Sequence, residues 1–274
     1  MTENILLDTS KEEEIKEELI SSYESKRKRI FSKIFSAALG SIPWVGGFLS
    51  AMVDIKSAEG QAKSNHLYEE WLSEHTGKMK MLGETLQEVA KKLDEQTEEI
   101  DERLESDEFL QIVKKSFRSW DNADTNEKRE LIRKLLTNAG AQKLVSDDLI
   151  RLFIDWINLY HEIHFTIIKI IYQNPGVTRF EIWQEMNGIQ VREDSMEADL
   201  FKLLVRDLSM GGVIRQHRQT DYYGNFVKKP SKARNTSNSN KYKSAFDDEE
   251  SYELTELGKH FVHYTMNEVV RKLE

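Results

Sequence analysis

The chain has 274 residues, with 39 Lys and Arg against 48 Asp and Glu, and a formal net charge of −9. It has no cysteine, which excludes disulfides, thiolate zinc sites and cysteine nucleophiles and fits a reducing cytoplasm. A charged fraction of 32% and only three prolines are typical of a helical protein with long solvated faces. Because the acidic stretch 1–24 lacks the features of a secretory signal, we expect a cytoplasmic location.

Residues 34–53 carry no charge, and the length of this run approaches that of a membrane-spanning helix. Pro43 and the glycines around it stand at its centre and favour a turn. The sequence therefore predicts two short apolar helices that form an apolar hairpin over residues 31–55. The candidate membrane or partner contacts of this hairpin are Phe35, Leu39, Pro43, Trp44, Val45, Phe48 and Leu49.

Four consecutive cations precede the hairpin: Lys26, Arg27, Lys28 and Arg29. A basic cluster before an apolar segment is typical of sequences that bind anionic lipid headgroups and then insert into the membrane. The alternative is that the hairpin is a core element that packs against neighbouring helices. The sequence leaves both interpretations open.

Apolar residues at three- and four-residue steps from Leu67 to Leu104 predict a long helix over about 62–105. Its narrow seam resembles a coiled coil, so we expect self-association through this helix. Ser106 and Thr125 are predicted N-caps of short helices within 107–140. Together these elements form the predicted helical domain, residues 1–149.

The last predicted domain, residues 150–274, begins within a helix over about 149–173 that is apolar around most of its circumference. A short helix over 179–186 is predicted to begin at the N-cap Thr178, and a terminal helix is predicted over 256–273. A helix predicted over 195–210 should carry its apolar residues on one face: Met196, Leu200, Leu203, Leu204 and Leu208. Strands are predicted over 213–219 and 252–254, with a returning strand starting at 226–228. The basic stretch 228–248 has a composition typical of disorder.

The segment from Tyr252 to Gly258 resembles the last wing strand and the following helix of MarR- and PadR-like winged-helix proteins, whose wing often ends in Tyr-x-Leu-Thr-x-x-Gly. The segment from Gly211 to Ile214 is similar to the end of their recognition helix where it enters the wing. The resemblance implies a winged helix with a small β-hairpin over about 150–274. Such domains bind DNA or serve as protein-binding modules.

Basic residues are concentrated in and around the predicted wing, where they give the segment 215–243 a strong positive charge in an otherwise acidic chain. These candidate nucleic-acid or anion ligands are Arg215, Arg218, Lys228, Lys229, Lys232, Arg234, Lys241 and Lys243. The predicted recognition helix instead carries Glu197, Asp199 and Asp207, which would repel a phosphate backbone. We therefore expect backbone contact by the wing or a protein partner, with a solvated loop without a ligand as the remaining alternative.

No glycine-rich phosphate loop, nucleophile elbow or kinase-type motif occurs in the sequence. Two histidine pairs at i,i+3 spacing, His161 with His164 and His260 with His263, are not accompanied by a third-ligand pattern for a metal. We therefore predict no catalysis, metal or cofactor. The expected fold is mainly α: an N-terminal helical bundle with the apolar hairpin and the coiled-coil-like helix, and a C-terminal winged helix.

The predicted role is that of a non-enzymatic sensor or effector component, in which the hairpin acts on membranes and can bring the protein to the periphery of the inner membrane. This layout is similar to that of bacterial phage-defence proteins of the abortive-infection type. The alternative is a winged-helix transcriptional regulator that dimerises through its N-terminal helices. A structural adaptor within a larger complex is a third possibility.

Overall fold

The computed structural model describes residues 26–57, 66–188, 191–217, 222–223, 227, 244–246, 248 and 250–268. The described chain is mainly α-helical, as predicted, with eleven α-helices and a small three-stranded antiparallel sheet. It divides into two compact units. The first unit extends to Leu159 and includes the chain from Tyr264 onward, and the second unit is Tyr160–His263.

The first unit is entirely helical in its described part. Its helices are α1 (Lys28–Leu39), α2 (Pro43–Ser57), α3 (His66–Asp94), α4 (Asp101–Glu105), α5 (Asp107–Asn122), α6 (Asn126–Ala141) and α7 (Asp147–Leu159), with a 3-10 turn at Glu98–Ile100. The predicted N-caps are confirmed: the Ser106 hydroxyl accepts from the backbone N–H of Phe109, and the Thr125 hydroxyl accepts from that of Lys128, both at 3.3 Å.

The predicted long helix is interrupted. It ends at Asp94, and Thr97 has extended backbone before the 3-10 turn and α4. Carboxylates at i,i+4 spacing, such as Glu95 with Glu99 and Glu98 with Glu102, would repel one another on a continuous helix. After the break, Glu98, Glu99, Asp101 and Glu102 stand in the first turns of the 3-10 turn and of α4, where the helix dipole favours acidic residues. Residues 62–65 lie outside the described part.

The core of the first unit is tightly closed around Gly140 of α6. A Cβ atom built on this glycine would lie 2.8 Å from Leu93, and 3.0 Å from both Leu104 and Phe109. These three side chains come from α3, α4 and α5 and are fully buried. Only a residue without a side chain allows the helices to approach this closely, because the interior is packed at the density of an organic crystal.

Ion pairs connect the same helices at the rim of this core. Arg103 of α4 forms two hydrogen bonds with the carboxylate of Asp147, at 2.6 and 2.9 Å, and its Nε donates to the Ala139 carbonyl at 3.3 Å. Both side chains of the pair are largely buried. The two hydrogen bonds to Asp147 therefore replace the water that the Arg103 guanidinium loses on burial. They also hold the start of α7 against α4.

The second unit combines helices with the sheet. Its elements in chain order are α8 (Glu162–Gln173), β1 (Val177–Thr178), α9 (Arg179–Asn187), α10 (Met196–Met210), β2 (Ile214–Gln216), β3 (Ser251–Leu254) and α11 (Glu256–Thr265). The strand order is β1-β3-β2, and both pairings are antiparallel. The N-caps Thr178 and Ser195 begin α9 and α10 where the sequence predicted.

The helix predicted over 149–173 is two helices, α7 and α8. The chain breaks at His161, which has extended backbone (φ −88°, ψ 163°). The backbone N–H of His161 donates to Nδ1 of His164 at 3.1 Å, so the start of α8 is capped by a local side chain. As a result α7 belongs to the first unit, and the second unit begins at Tyr160.

The predicted terminal helix is also shorter than expected, because α11 ends at Thr265. The side-chain amide of Asn138 donates to the carbonyls of Tyr264 and Asn267, at 3.1 and 2.9 Å. These bonds satisfy carbonyl groups that a helix end leaves without partners. Residues 269–274 lie outside the described part.

The Thr-x-x-Gly segment that carries the winged-helix resemblance has a physical role at the start of α11. The Thr255 hydroxyl donates to the carbonyl of Gly212 at 2.7 Å and accepts from the N–H of Gly258 at 2.9 Å. A Cβ on Gly258 would lie 2.2 Å from the carbonyl oxygen of Val213. Glycine is therefore required here because the backbone after α10 approaches α11 too closely for any side chain.

Candidate functional site

An open cleft lined by three arginines lies in the second unit, between α10 and strands β2 and β3. Its volume is about 490 Å³, and Arg179, Arg206 and Arg215 line it together with Tyr252. We call this group the arginine cleft. Arg179 is the first residue of α9, Arg206 lies on α10 and Arg215 lies in β2, so three separate elements supply the positive charge.

Tyr252 orients the first of these arginines. Its ring is buried in β3, and its hydroxyl accepts a hydrogen bond of 2.9 Å from Nε of Arg179. The guanidinium carbon of Arg179 also lies 5.5 Å from the centroid of the same ring. This combination of a hydrogen bond and a cation–π contact holds the guanidinium at the cleft wall.

The carboxylate of Glu253 offsets part of the positive charge of Arg215. Nε of Arg215 donates to one carboxylate oxygen of Glu253 at 2.7 Å, and Nδ1 of His217 lies 2.7 Å from the other oxygen. Burial alone would raise the pKa of Glu253, but the bonds from His217 and Arg215 outweigh burial and lower it. Glu253 is therefore ionised at neutral pH and offsets part of the positive charge.

The third arginine has a looser intramolecular partner. Nε of Arg206 lies 3.8 Å from Asp207, and the side chain is well exposed. A long exposed ion pair of this kind contributes little to stability, so the guanidinium can reorient toward a ligand at small cost.

Of the basic residues that the sequence predicted as anion ligands, only Arg215 is described, and it lies in the arginine cleft. The others, Arg218, Lys228, Lys229, Lys232, Arg234, Lys241 and Lys243, lie outside the described residues. The sequence analysis missed Arg179 and did not associate Arg206 with the wing. Neither residue stands in a basic cluster, because the cleft is formed by elements that are distant in the chain.

Helix α10 has two apolar faces, not the single face that the sequence suggested. The core face consists of Ala198, Phe201, Leu204, Val205 and Leu208, all buried. A second set faces solvent: Met196, Leu200, Leu203 and Met210, with exposed fractions of 79%, 44%, 40% and 80%. We call this second set the α10 stripe.

The predicted apolar hairpin corresponds to α1 and α2, joined by residues 40–42. Its apolar candidates Phe35, Leu39, Val45, Phe48 and Leu49 are all buried in the first unit, and Pro43 is exposed. In this conformation the hairpin is therefore a core element.

The side chain of Trp44, at the start of α2, is half-buried and contacts residues of neighbouring helices. Its indole Nε1 donates to Asp121 at 2.7 Å, and its ring meets that of His75 edge-on, with centroids 4.9 Å apart. Among the described helices none is both long and apolar enough to cross a bilayer alone. The pair Lys28–Leu39 and Pro43–Ala51 reaches that threshold only together, with a bend of 99° between its halves.

The four cations before the hairpin do not form one solvated cluster. Arg27 is buried, and its terminal nitrogens donate to the carbonyls of Leu93 and Thr97, both at 2.6 Å. Its Nε also forms an ion pair with Asp101 at 2.6 Å. In this conformation Arg27 therefore stabilises the break after α3 and cannot contact a lipid headgroup. Lys26, Lys28 and Arg29 are exposed, and Arg29 bonds to Glu105 at 2.9 Å.

Within the described residues, no three His, Asp or Glu side chains are grouped so that they could hold a metal ion. No family model, curated protein or solved structure matches this chain.

Proposed function

We propose that this protein is a non-enzymatic recognition component whose second unit is a winged-helix domain that binds the backbone of a nucleic acid. The chain order helix, strand, helix, helix, strand, strand, helix supports the winged-helix assignment, as does the sheet order β1-β3-β2. The close approach of Gly258 to Val213 gives a physical reason for the Thr-x-x-Gly pattern on which the resemblance rests.

The arginine cleft is the main evidence for nucleic-acid binding by the second unit. A guanidinium group matches a phosphate with two parallel N–H donors and keeps its charge at any physiological pH. Three such groups, on α9, α10 and β2, line one cleft, and the basic segment 215–243 of the sequence begins within β2 at Arg215.

Readout of base sequence is not part of the proposal. The outward side of α10 carries Asp199 and Asp207, which would approach the phosphates if this helix entered a major groove. Contacts to phosphates fix the position of a protein on nucleic acid but carry no sequence information. The proposal therefore favours a backbone-binding component over a transcriptional regulator that reads a palindromic site.

The test is fluorescence anisotropy of the full chain with a labelled duplex of random sequence, and with a labelled single strand, over a salt series. For the double variant Arg179→Gln with Arg206→Gln, we expect affinity to fall at least about tenfold. The slope of log affinity against log salt should become shallower by roughly 0.9 for each phosphate that the variant no longer neutralises.

The matched control is Arg192→Gln. Arg192 belongs to the same unit, and its substitution removes the same charge, but it is exposed and pairs with Asp194 outside the arginine cleft. The proposal fails if the wild type shows no salt-dependent binding, or if the double variant and the control bind equally well. A strong preference for one sequence would favour the regulator instead.

The membrane role of residues 31–55 stays a prediction and requires an additional step, since α1 and α2 would first have to leave the core. Flotation with anionic vesicles tests it. Because the apolar side chains are enclosed, we expect no binding by the resting protein. Binding and dye leakage that Trp44→Asp abolishes would support membrane action. Self-association through α3 and a place in an antiviral defence system also stay predictions.

A further inference from the structure

The α10 stripe has the spacing of a helix–helix interface. Met196, Leu200, Leu203 and Met210 follow one another at steps of four, three and seven residues, with Asp207 at the remaining position of the seam. Steps of three and four keep side chains on one line of a helix and are the repeat of coiled-coil seams. Single apolar residues scattered over a surface are common in proteins, but a continuous row of exposed apolar side chains is not.

Packing among the described residues does not account for this row. The core of the second unit uses the opposite face of α10, where Phe201 and Leu208 are fully buried. The polyanion proposal does not use it either, since phosphates do not contact methionine and leucine side chains favourably. Association through this row does not require nucleic-acid binding, although Arg206 and Met210 also line the arginine cleft.

We propose that the α10 stripe binds the same stripe of a second copy of this chain, with the two helices antiparallel. A two-fold axis through Leu203 places each Leu203 against the other and brings Met196 to the level of the partner's Met210. The stripe then covers itself along its whole length. Such a self-complementary patch is the usual form of a two-fold interface.

Charges beside the stripe select this orientation. Asp199 and Arg206 are two helical turns apart on the same flank, and both are exposed. In the antiparallel pair, Asp199 lies beside the partner's Arg206, and the same contact forms a second time. In a parallel two-fold pair the flanks that carry Asp199 and Arg206 would lie on opposite sides of the seam, so these two charges would have no reciprocal partner.

The size of the patch predicts a weak dimer. Four side chains on a helix of four turns bury less than the roughly 800 Å² per partner of a standard interface. We therefore expect a dissociation constant in the micromolar range, and an equilibrium that responds to protein concentration.

Cysteine cross-linking tests the orientation, because the chain contains no native cysteine. Leu203→Cys places two thiols at the axis, and we expect a disulfide-linked dimer under mild oxidation. The two copies of Met210→Cys would be about 21 Å apart along the pair, at 1.5 Å per residue, and should not cross-link. A mixture of Met196→Cys and Met210→Cys should cross-link. Efficient linkage of Met210→Cys to itself would overturn the antiparallel arrangement.

Sedimentation velocity over a concentration series tests the face itself. We expect Leu203→Glu to be monomeric, and the control Leu144→Glu, at a similarly exposed leucine of the first unit, to dimerise like the wild type. Asp199→Arg and Arg206→Asp should each weaken the dimer at least about fivefold, and their combination should restore it, since the reciprocal pair is rebuilt.

Circular dichroism confirms that each variant is folded. A wild type that stays monomeric at high concentration would refute the proposal. So would a dimer that Leu203→Glu leaves intact, because its interface would then lie elsewhere, as in the predicted association through α3. A charge combination that fails to restore the dimer would refute the pairing with a second copy in this orientation.

Discussion

The ion pair of Arg103 with Asp147 gives the sharpest test of how the first unit is held together. In Asp147→Asn, the Arg103 charge stays largely buried and loses its counter-charge, although it still contacts the Ala139 carbonyl and the face of Phe109, whose centroid is 5.3 Å away. Removing one partner of a buried pair costs about 3–5 kcal/mol, and the amide can still accept one bond. We therefore expect the free energy of unfolding to fall by about 2–3 kcal/mol near pH 7.

The pH dependence separates the charge from packing. Hydrogen bonds from Arg103 lower the pKa of Asp147 in the folded state, against a smaller opposing effect of burial. The stability from this group is therefore present above the unfolded value of about 3.9 and is lost as the pH falls through the folded pKa. The difference between wild type and Asp147→Asn should shrink steadily below about pH 4.

Urea unfolding of the full chain, followed by tryptophan fluorescence, measures this difference. Four of the five tryptophans belong to the first unit, so the signal reports mainly on that unit. The control is Asp148→Asn, which removes an exposed carboxylate from the same first turn of α7 and should cost under about 1 kcal/mol. The reasoning is refuted if the two variants are equally destabilised, or if the effect of Asp147→Asn is the same at low pH as at neutral pH.

Three further substitutions test packing and the position of one charge. Gly140→Ala should destabilise the first unit by about 1–3 kcal/mol in urea unfolding. The control Gly47→Ala, which has open space around it in α2, should instead stabilise this unit by about 0.5–1 kcal/mol. Equal effects of the two substitutions would contradict the close packing around Gly140. Gly258→Ala should destabilise the second unit, measured as faster amide hydrogen exchange in β3 and α11, and unchanged exchange would mean that the approach to the backbone is looser. Arg27→Gln should lower the free energy of unfolding by about 2–3 kcal/mol, and Lys28→Gln should change it very little. Equally small effects of both substitutions would mean that Arg27 is exposed to solvent.

Local signals in the sequence predicted the helices well. Ser106, Thr125, Thr178 and Ser195 begin their helices as expected, because a side-chain oxygen that accepts from the N3 amide is a property of a short segment. The breaks after Asp94 and at His161 were missed. At both places the apolar periodicity continues across the break, so the pattern does not distinguish one helix from two that serve the same core.

The candidate sites depended on tertiary structure and could be predicted only in part. Arg215 was identified because it begins a basic stretch, but Arg179 joins it only through the antiparallel pairing that brings Tyr252 between them. The two faces of α10 were merged for a related reason. Leu203 and Leu204 are adjacent in sequence and equally apolar, and only the packing shows that the first is exposed and the second buried.

The cations before the hairpin show how packing changes a functional interpretation that rests on composition. Each Lys or Arg near an anionic membrane contributes about 1 kcal/mol of attraction, so the sequence suggests about 4 kcal/mol from four cations. Arg27 is removed from this total by its bonds inside the first unit, and Arg29 has to exchange Glu105 for a headgroup. Only Lys26 and Lys28 remain fully available, and about 2 kcal/mol of attraction would have to open a core that encloses Phe35 and Phe48. A membrane role for the hairpin therefore requires a trigger that destabilises the first unit, and electrostatic attraction to lipid does not suffice.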